Sequence, residues 1–448
     1  MTAIQNIKFS CFVFVLSIHL GCDSSENIQP TENQSVEVEE VLTIGGTKNE
    51  SAQSVVNTPD GGYAVLGYTQ SMDGDISNKT DTSFDYWLVK FDASGQQQWQ
   101  KVYGGSDDDR GEDLITTNDG GYAILGSSKS NDGDVSNNSG SNDFWVAKLD
   151  ASGTIIWEKS FGYVGADSAF SIIQTQDNGF LLSGVLDVSA SDGAGNNRMN
   201  MERHAGGDYW VIKIDAMGGL QWSRYFGGTF TDTAYDSVQT QDGNFLIMGS
   251  SDSDDVDINN NKGTYDFWVV KLNNTGTLLW EKSFGGTEID EARAITTTAD
   301  GNFLIAGDSR SNNIDLSTNS GAADVWVIKI NSDGDLLWEK TFGGSSFDGV
   351  KAIHKTQDNE FLVAGNSRSS DGNLTENNGQ NDAWVFKINA QGNIKWQTSV
   401  GGGNVDLLMG ITELNSGSII AVGNTNSSDI DISENKGFSD VLIIKAKQ

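Results

Sequence analysis

The sequence predicts an all-β protein: a seven-bladed β-propeller of four-stranded antiparallel blades, with the ring closed by the N-terminal strand. The first observation behind this is a repeat of paired tryptophans, with 12 residues between the two members of every pair. Four of the five steps between pairs are 58 residues, and the step from Trp145 to Trp210 is 65. Repeats of this length are typical of solenoids, propellers and arrays. The structural pairs are Trp87/Trp99, Trp145/Trp157, Trp210/Trp222, Trp268/Trp280, Trp326/Trp338 and Trp384/Trp396.

The second observation is that one unit contains four short strand patterns separated by turns. In the second unit, residues 112–117 and 122–126 flank an Asn-Asp-Gly-Gly turn, and residues 144–149 and 155–161 flank an Asp-x-x-Gly turn. Short apolar, β-branched runs bounded by turn residues are typical of strands that are covered on both faces. Four such strands in every unit predict the blade of a propeller.

The third observation is the number of units. The turn before the second strand occurs seven times, and the last unit ends after its third strand. Residues 40–46 align with a fourth strand and have no first three strands before them, so we expect them to complete the seventh blade. Closure in this way leaves no exposed sheet edge. The turns begin at Asp60, Asp119, Asp177, Asp242, Asp300, Asp358 and Ser416.

The unit resembles a bacterial β-propeller repeat of the form W-V-x-K-L-D-x-x-G-x-x-x-W-x-K-x-x-G-G, over about residues 40–448. The resemblance implies a secreted or lipid-anchored protein, of a group mostly without assigned activity. Residues 150–157 also resemble the tryptophan docking motif of quinoprotein propellers, which implies a docking role for the tryptophan. Those propellers have eight blades. This chain shows seven units and no vicinal cysteines, so the resemblance implies no quinone cofactor here.

The N-terminus predicts a bacterial lipoprotein. Lys8 and the apolar run 9–18 form a short signal peptide over residues 1–21, and Leu20-Gly21-Cys22 resembles a lipobox. We therefore expect Cys22 to be lipidated, residues 22–36 to form a flexible acidic tether, and residues 37–448 to form one propeller. The expected location is the cell envelope, at the outer membrane or cell surface. Without lipidation of Cys22 the chain would be secreted.

Composition restricts the function. A formal charge of −34 argues against nucleic-acid binding, which needs clustered Lys and Arg, and favours solubility and attraction of cations. The two cysteines, Cys11 and Cys22, lie at the N-terminus, so the body has neither a disulfide framework nor a cysteine nucleophile. The sequence contains no Ser-His-Asp elbow, His-Glu-x-x-His motif or phosphate loop. We expect no catalytic residue to be identifiable from it.

An acidic residue recurs five positions after the first glycine that follows each fourth strand. We expect these acids where the innermost strand begins, as a ring at the mouth of the central channel, where seven carboxylates need water or cations. The alternative is that each acid caps its own Gly-Gly turn. The seven residues are Glu50, Asp109, Asp167, Asp232, Asp290, Asp348 and Asp406.

Two more charged positions recur in phase. A lysine in each covered third strand, such as Lys148, predicts a structural ion pair, because an unpaired buried charge is costly. An aspartate two residues before the first tryptophan, such as Asp143, is expected to bind loop backbone.

The loops between second and third strands carry paired aspartates. Closely spaced oxygen donors suit Ca²⁺, so these loops predict calcium sites, with solvated polar turns as the alternative. Calcium is the one cofactor that the sequence suggests. The residues are Asp73, Asp75, Asp132, Asp134, Asp255, Asp257, Asp429 and Asp431.

The third unit departs from the repeat by a seven-residue excess in its loop 189–207. Arg198, Glu202, Arg203 and His204 make this loop a candidate partner-binding segment. A tolerated insertion is the alternative.

We interpret the chain as a non-catalytic binding or scaffold propeller of the cell envelope, monomeric, with no nucleic-acid partner. It would bind an envelope protein or extracellular glycan on the face with the acidic loops, aided by calcium if those loops hold it, and would contact the membrane only through its anchor. One alternative is a carbohydrate-active lyase or hydrolase that uses channel-mouth carboxylates. A second is a subunit of an envelope assembly. Fold alone does not decide among them.

Overall fold

The computed structural model describes residues 36–195 and 204–448. This part of the chain contains 28 β-strands and no helix, so it offers no apolar helix long enough to span a bilayer. The strands form seven four-stranded antiparallel sheets, six of them with their strands in chain order and the seventh completed by the N-terminal strand. The predicted fold, a seven-bladed β-propeller, is confirmed.

The first three blades hold twelve strands. They are β2 (Glu50–Asn57), β3 (Tyr63–Thr69), β4 (Asp85–Phe91), β5 (Gln97–Tyr103), β6 (Asp109–Thr116), β7 (Tyr122–Ser128), β8 (Asp143–Leu149), β9 (Ile155–Phe161), β10 (Ser168–Gln174), β11 (Phe180–Asp187), β12 (Gly207–Ile214) and β13 (Leu220–Phe226).

Blades four to six hold the next twelve. They are β14 (Asp232–Gln239), β15 (Phe245–Ser251), β16 (Asp266–Leu272), β17 (Leu278–Phe284), β18 (Asp290–Thr297), β19 (Phe303–Ser309), β20 (Asp324–Ile330), β21 (Leu336–Phe342), β22 (Asp348–Lys355), β23 (Phe361–Ser367), β24 (Asp382–Ile388) and β25 (Ile394–Val400).

The seventh blade joins the two ends of the described chain. It consists of β26 (Asp406–Glu413), β27 (Ser418–Thr425), β28 (Asp440–Lys447) and the N-terminal strand β1 (Glu37–Ile44), which pairs antiparallel with β28. The closing strand therefore begins three residues before the predicted position 40. The first strand of the second blade likewise begins at Asp109 rather than at residue 112. In both strands the added residues lie across a β-bulge, where the register shifts.

The first strands of the seven blades contact one another in a closed ring, so they are the innermost strands and surround a central channel. The loops from fourth to first strands and from second to third strands lie on one face of the ring. Backbone of the first loop type bonds side chains of the second, as when Ser106 N donates to Asp132 Oδ1 at 2.8 Å. We call the end of the channel on this face the channel mouth.

The first tryptophan of each pair lies in the third strand and packs between blades. Trp145 is fully buried, and its ring lies 4.8 Å from that of Tyr86 in the preceding blade. Its Nε1 donates to Glu158 Oε2 at 3.0 Å in its own fourth strand. The opposite residue in the second strand is a glycine, Gly126, whose missing side chain leaves room for the neighbouring strand backbone.

The second tryptophan of each pair, in the first five pairs, covers a turn of the next blade. The ring of Trp99 lies against Gly153, which has φ of 75° in the Asp-x-x-Gly turn. A Cβ at that glycine would stand 3.0 Å from the ring, so the backbone angle and the close approach both favour glycine. The same pairing occurs at Trp157/Gly218, Trp222/Gly276, Trp280/Gly334 and Trp338/Gly392.

Trp396, the second tryptophan of the sixth pair, differs from the other five. The next blade has no Asp-x-x-Gly turn for it to cover, because the third and fourth strands of that blade, β28 and β1, come from opposite ends of the chain. Trp396 is buried instead in an apolar cluster with Ala446 of β28 and Val38 of β1. The docking role that the motif implies for this tryptophan therefore does not extend to Trp396, although its side chain still packs at the seam.

The indole nitrogens of the second tryptophans do not all bond the turn that they cover. In the second pair, Trp157 Nε1 donates to the turn carbonyl of Ala216 at 3.2 Å. Trp280 Nε1 and Trp396 Nε1 are both buried without a hydrogen-bond partner among residues 36–195 and 204–448, although Trp280 does cover a turn glycine. Trp396 therefore differs from the other five in the missing turn glycine and not in its indole nitrogen.

The third-strand lysines form the ion pairs expected of buried cations. Lys148 Nζ lies 3.0 Å from Asp119 Oδ1, in the turn between the first and second strands. Equivalent pairs are Lys90–Asp60, Lys213–Asp177, Lys329–Asp300 and Lys387–Asp358. In the fourth blade, Lys271 Nζ instead donates to Ser332 O at 2.8 Å, and in the seventh Lys445 lies 3.5 Å from Glu39.

Candidate ligand-binding site at the channel mouth

The innermost strands share a β-bulge that marks one position in every blade. In β6 the register shifts between Gly111 and Asp113, so Glu112 has no partner in the second strand. The same shift occurs at the same place in the other six innermost strands. The bulge residue is half-buried in all seven, whereas the residue before it is buried. A bulge re-aims a side chain, and here it turns one residue per blade toward the channel.

This channel position holds a different residue type in every blade, although the framework around it repeats. An acid occupies the position three residues earlier in all seven blades. Side chains from seven blades thus meet at one level of the channel with seven different chemistries. The channel residues are Gln53, Glu112, Phe170, Tyr235, Arg293, Lys351 and Met409.

Contacts between blades show that these side chains form one layer. The ring of Phe170 lies 5.3 Å from that of Tyr235, and the guanidinium of Arg293 lies 4.3 Å from the Tyr235 ring centre. Arg293 also pairs with Glu291 at 3.0 Å. Three successive blades therefore place an aromatic and cationic wall along one side of the channel.

Glu112 and Lys351, from the second and sixth blades, influence each other's pKa across the channel. Burial raises the pKa of Glu112 to about 8, while the positive charges of Arg110 and Lys351 partly oppose the rise. Burial and the nearby Arg293 together lower the pKa of Lys351 to about 8, against the opposing charges of Asp308, Glu291 and Glu112. At neutral pH the Glu112 carboxyl is therefore largely protonated and the Lys351 amine largely charged.

A cavity of about 250 Å³ opens at the channel mouth between the second and third blades. Arg110 stands at this cavity with its guanidinium 4.3 Å from the ring centre of Phe84 and 5.4 Å from that of Tyr68. The lining combines cationic, acidic, aromatic, hydroxyl and amide groups. It consists of Asp108, Arg110, Glu112, Ser127, Lys129, Asn142, Ser168 and Phe170.

A larger cavity, of about 430 Å³, lies on the opposite face beside Lys271 and Asp242. It is lined mainly by turn residues of the third to fifth blades, such as Thr240 and Thr298, that recur through the repeat. The smaller cavity at the channel mouth includes Arg110, Glu112 and Phe170, whose positions hold other residue types in the remaining blades, and chemistry rather than size makes it the better candidate site.

The seven predicted ring acids lie at the first position of, or next to, the innermost strands, with their side chains buried. Asp109 Oδ2 accepts from Gly105 N at 2.8 Å, and its Oδ1 accepts from the Ser128 hydroxyl. All seven accept the same turn hydrogen bond, from the residue four positions earlier. This geometry matches the alternative that each acid caps its own turn. Carboxylates that face the channel therefore belong to other residues. The seven caps are Glu50, Asp109, Asp167, Asp232, Asp290, Asp348 and Asp406.

Each cap faces an aspartate at the start of a third strand, and we call these residues the seam aspartates. In five blades the seam aspartate accepts a backbone N–H four residues earlier, as from Lys262 N to Asp266 Oδ2 at 2.6 Å. Its other oxygen, Oδ1, is buried without a hydrogen-bond partner within the described ranges. Burial and the charge of Asp290 help raise the pKa of Asp266 to about 7. The seam aspartates are Asp85, Asp143, Asp208, Asp266, Asp324, Asp382 and Asp440.

The two blades with longer loops replace that backbone donor by a side chain. Asp85 accepts from the Lys79 ammonium, and Asp208 Oδ2 lies 2.5 Å from His204 Nδ1. Burial lowers the pKa of His204, but the hydrogen bond and charge of Asp208 outweigh it and leave the pKa raised. His204, predicted as part of a partner loop, thus binds its own blade. Arg198, Glu202 and Arg203 of that prediction lie outside the described residues, as does Cys22.

The paired loop aspartates bind backbone of the neighbouring turn. Asp132 Oδ1 accepts from Ser106 N at 2.8 Å and Asp134 Oδ2 from Gly104 N at 3.3 Å. Corresponding bonds are made by Asp73, Asp75, Asp255, Asp257, Asp429 and Asp431. Over residues 36–195 and 204–448, no group of three or more His, Cys, Asp or Glu side chains is arranged to hold a metal ion.

Sequence reasoning missed the channel position, although a signal for it was present. Within an otherwise regular repeat, the residue three places after the cap acid varies without restriction from Gln53 to Met409. The β-bulge that turns this residue toward the channel is not accompanied by a glycine or proline that recurs in every blade. His354, the other histidine of the described residues, is half-buried, and burial lowers its pKa to about 4.

No family model matches this chain. A curated relative, the regulatory protein FlaEY of Caulobacter vibrioides, is 24% identical over 406 residues, which cover 80% of this chain and 41% of that protein. The chain therefore spans less than half the length of this relative.

Solved structures similar to this chain include WD40 β-propellers. The WD40 domain of Doa1 aligns with a TM-score of 0.52 and 12% identity, over 92% of this chain and 97% of that one. The Neurospora crassa Pan2 WD40 domain aligns with a TM-score of 0.50 and 10% identity, over 91% and 96%. At these identities the likeness establishes the propeller fold.

Proposed function

We propose that this protein is a lipid-anchored, non-catalytic binding module of the bacterial cell envelope, and that its ligand binds at the channel mouth. The observation that carries the proposal is the channel layer, where a repeated framework presents seven different side chains at one level. Structural positions in the same blades keep one residue type. Different side chains that converge at one level are what a specific binding site requires, because specificity comes from particular groups rather than from the fold.

The ligand class that we propose is an envelope protein or an extracellular glycan. The mature protein would be tested for binding to arrays of envelope proteins and glycans, with Phe170→Ala as the channel variant, because Phe170 lines the cavity at the channel mouth. Selective binding that Phe170→Ala weakens supports the proposal. Binding that this variant does not change would mean that the ligand binds outside the channel mouth, and would contradict the proposal.

The anchor is proposed from Cys22 and the lipobox-like residues before it. Membrane fractionation of cells that express the full chain tests it. We expect the wild type in the membrane fraction and Cys22→Ala in the soluble or secreted fraction. Membrane retention of Cys22→Ala would refute the lipid anchor without touching the ligand proposal.

A catalytic alternative rests on Glu112, because a carboxyl whose pKa lies near 8 is protonated at neutral pH and could serve as a general acid in a glycan lyase or hydrolase. Incubation with glycans that bind, followed by analysis for new chain ends, decides this. Product release that Glu112→Gln abolishes would replace the binding function by a catalytic one.

A further inference from the structure

The arginines of this acidic protein are concentrated at the channel mouth. Its sequence has 62 Asp and Glu against 28 Lys and Arg. Of the five arginines in the described part of the chain, only Arg224 lies in a fourth strand. The other four, Arg110, Arg293, Arg310 and Arg368, lie in innermost strands or directly after second strands, next to the channel mouth. The channel mouth is thus a cationic region of an otherwise acidic protein.

Arg110 is a cation available to a ligand in the cavity at the channel mouth. It is exposed, and no carboxylate of the described residues lies within ion-pair distance of it. Its side chain rests on the faces of Phe84 and Tyr68, which holds the planar guanidinium in place and leaves its N–H groups unoccupied. A fixed guanidinium of this kind matches a carboxylate with two parallel hydrogen bonds.

The rest of the cavity suits the body of a sugar. Phe170 offers a half-exposed aromatic ring, while Ser168 and Asn142 offer hydroxyl and amide groups. Glu112 faces the cavity without a hydrogen-bond partner among residues 36–195 and 204–448. Ligand sites commonly combine an apolar surface with a few convergent polar groups, and a sugar ring presents both C–H faces and hydroxyls.

We propose that the channel mouth binds a carboxylate-bearing sugar, a uronate unit of an acidic glycan. Arg110 binds the carboxylate, Phe170 packs against the ring, and Glu112 hydrogen-bonds a ring hydroxyl. This inference rests on the proposed function and specifies its ligand. A partner with several adjacent carboxylates, such as an acidic peptide, fits less well than an isolated uronate flanked by neutral sugars, because the net charge of −34 repels it.

The test is calorimetric titration of the mature protein with two matched disaccharides: glucuronate linked to a neutral hexose, and its counterpart with glucose in place of glucuronate. We expect the uronate to bind about tenfold more tightly or better, the effect of a hydrogen bond to a charged group. Arg110→Gln should remove that preference, and Arg110→Lys should restore part of it. Lys101→Gln removes an equal charge from a half-buried fourth-strand residue outside this cavity and should change nothing.

Unfolding temperatures of the variants separate lost binding from lost folding, because Arg110 is exposed and its replacement should leave them unchanged. Equal binding of the two disaccharides, or a uronate preference that survives in Arg110→Gln, would overturn the inference while the binding function stands. Binding of tri-aspartate but of neither sugar would overturn it in favour of an acidic peptide. If neither these probes nor any arrayed protein or glycan binds, both the inference and the proposed function fail.

Discussion

The seams between blades and the wall of the channel are built from the same repeat under opposite constraints. At the seams, Trp145, Gly153 and Asp143 recur in almost every blade in the same contacts. Along the channel, Glu112 and its equivalents share only a backbone position. The difference shows which part of the repeat carries stability and which part is free to carry recognition. It also explains why residues that recur in the sequence were poor candidates for a site.

The largest effect should come from breaking a seam. Trp145→Ala removes a fully buried ring together with its packing on Tyr86 and its hydrogen bond to Glu158, so we expect a loss of about 3–5 kcal/mol of unfolding free energy. Phe170→Ala, at a half-buried channel position, should cost much less but weaken ligand binding. Chemical denaturation and titration of both variants measure this. Equal destabilisation would mean that the channel layer is also structural.

The contrast also explains how far the sequence could be used for prediction. The tryptophan spacing and the seven turns were enough for blade number, strand order and ring closure, because these depend on local patterns that repeat. The role of the ring acids depended on whether Asp109 faces water or its own turn, and spacing alone left both open. The channel position depended on a bulge after Gly111, which has no sequence signature. What could not be predicted was therefore the direction of individual side chains.

The next largest effect is the pH dependence of stability that the carboxyl pairs at the seams should cause. Burial raises the pKa of Asp266 to about 7 and of Asp232 to about 8, well above their ordinary values. The folded protein then holds more protons than the unfolded chain, so the stabilisation is complete below about pH 4 and is lost as pH rises through 7 and 8. The turn acid Asp119 acts oppositely, because its hydrogen bonds with Thr117 and Lys148 lower its pKa to about 2. We expect thermal unfolding temperatures to fall between pH 5 and pH 8.

A matched pair of variants tests which groups cause the slope, that is, the fall in stability between pH 5 and pH 8. Asp266→Asn keeps an acceptor for Lys262 N and removes the titrating carboxyl, so it should raise stability at pH 8 relative to pH 5, by up to roughly 1.4 kcal/mol for each unit of pKa shift removed. Asp150→Asn changes an exposed turn where other blades already have asparagine, as at Asn273, and should leave the slope unchanged. An identical slope in both variants would place the titrating groups elsewhere.

A smaller gain should come from restoring the seam between the seventh and first blades. Glu40 pairs with Lys445 as Trp157 pairs with Lys148, and its carboxylate stands where a tryptophan would cover Gly95. Glu40→Trp should therefore stabilise the ring by about 1 kcal/mol through added apolar burial. Urea denaturation measures the gain. Gln98→Trp, on an exposed part of β5, is the control, and equal gains would mean that docking on Gly95 contributes nothing.

The smallest expected effect is that of calcium, which separates the two roles of the acidic loops. If they are calcium sites, added Ca²⁺ must raise the unfolding temperature and EDTA lower it, because a ligand that binds the folded state stabilises it. In the structure, Asp132 and Asp134 already accept backbone N–H groups from Ser106 and Gly104. These bonds satisfy the carboxylates without a cation, so we expect no shift in either direction. A calcium-dependent rise that Asp132→Asn removes would show instead that the loops reorganise around the ion, and the acidic face would then join the channel as a site of recognition.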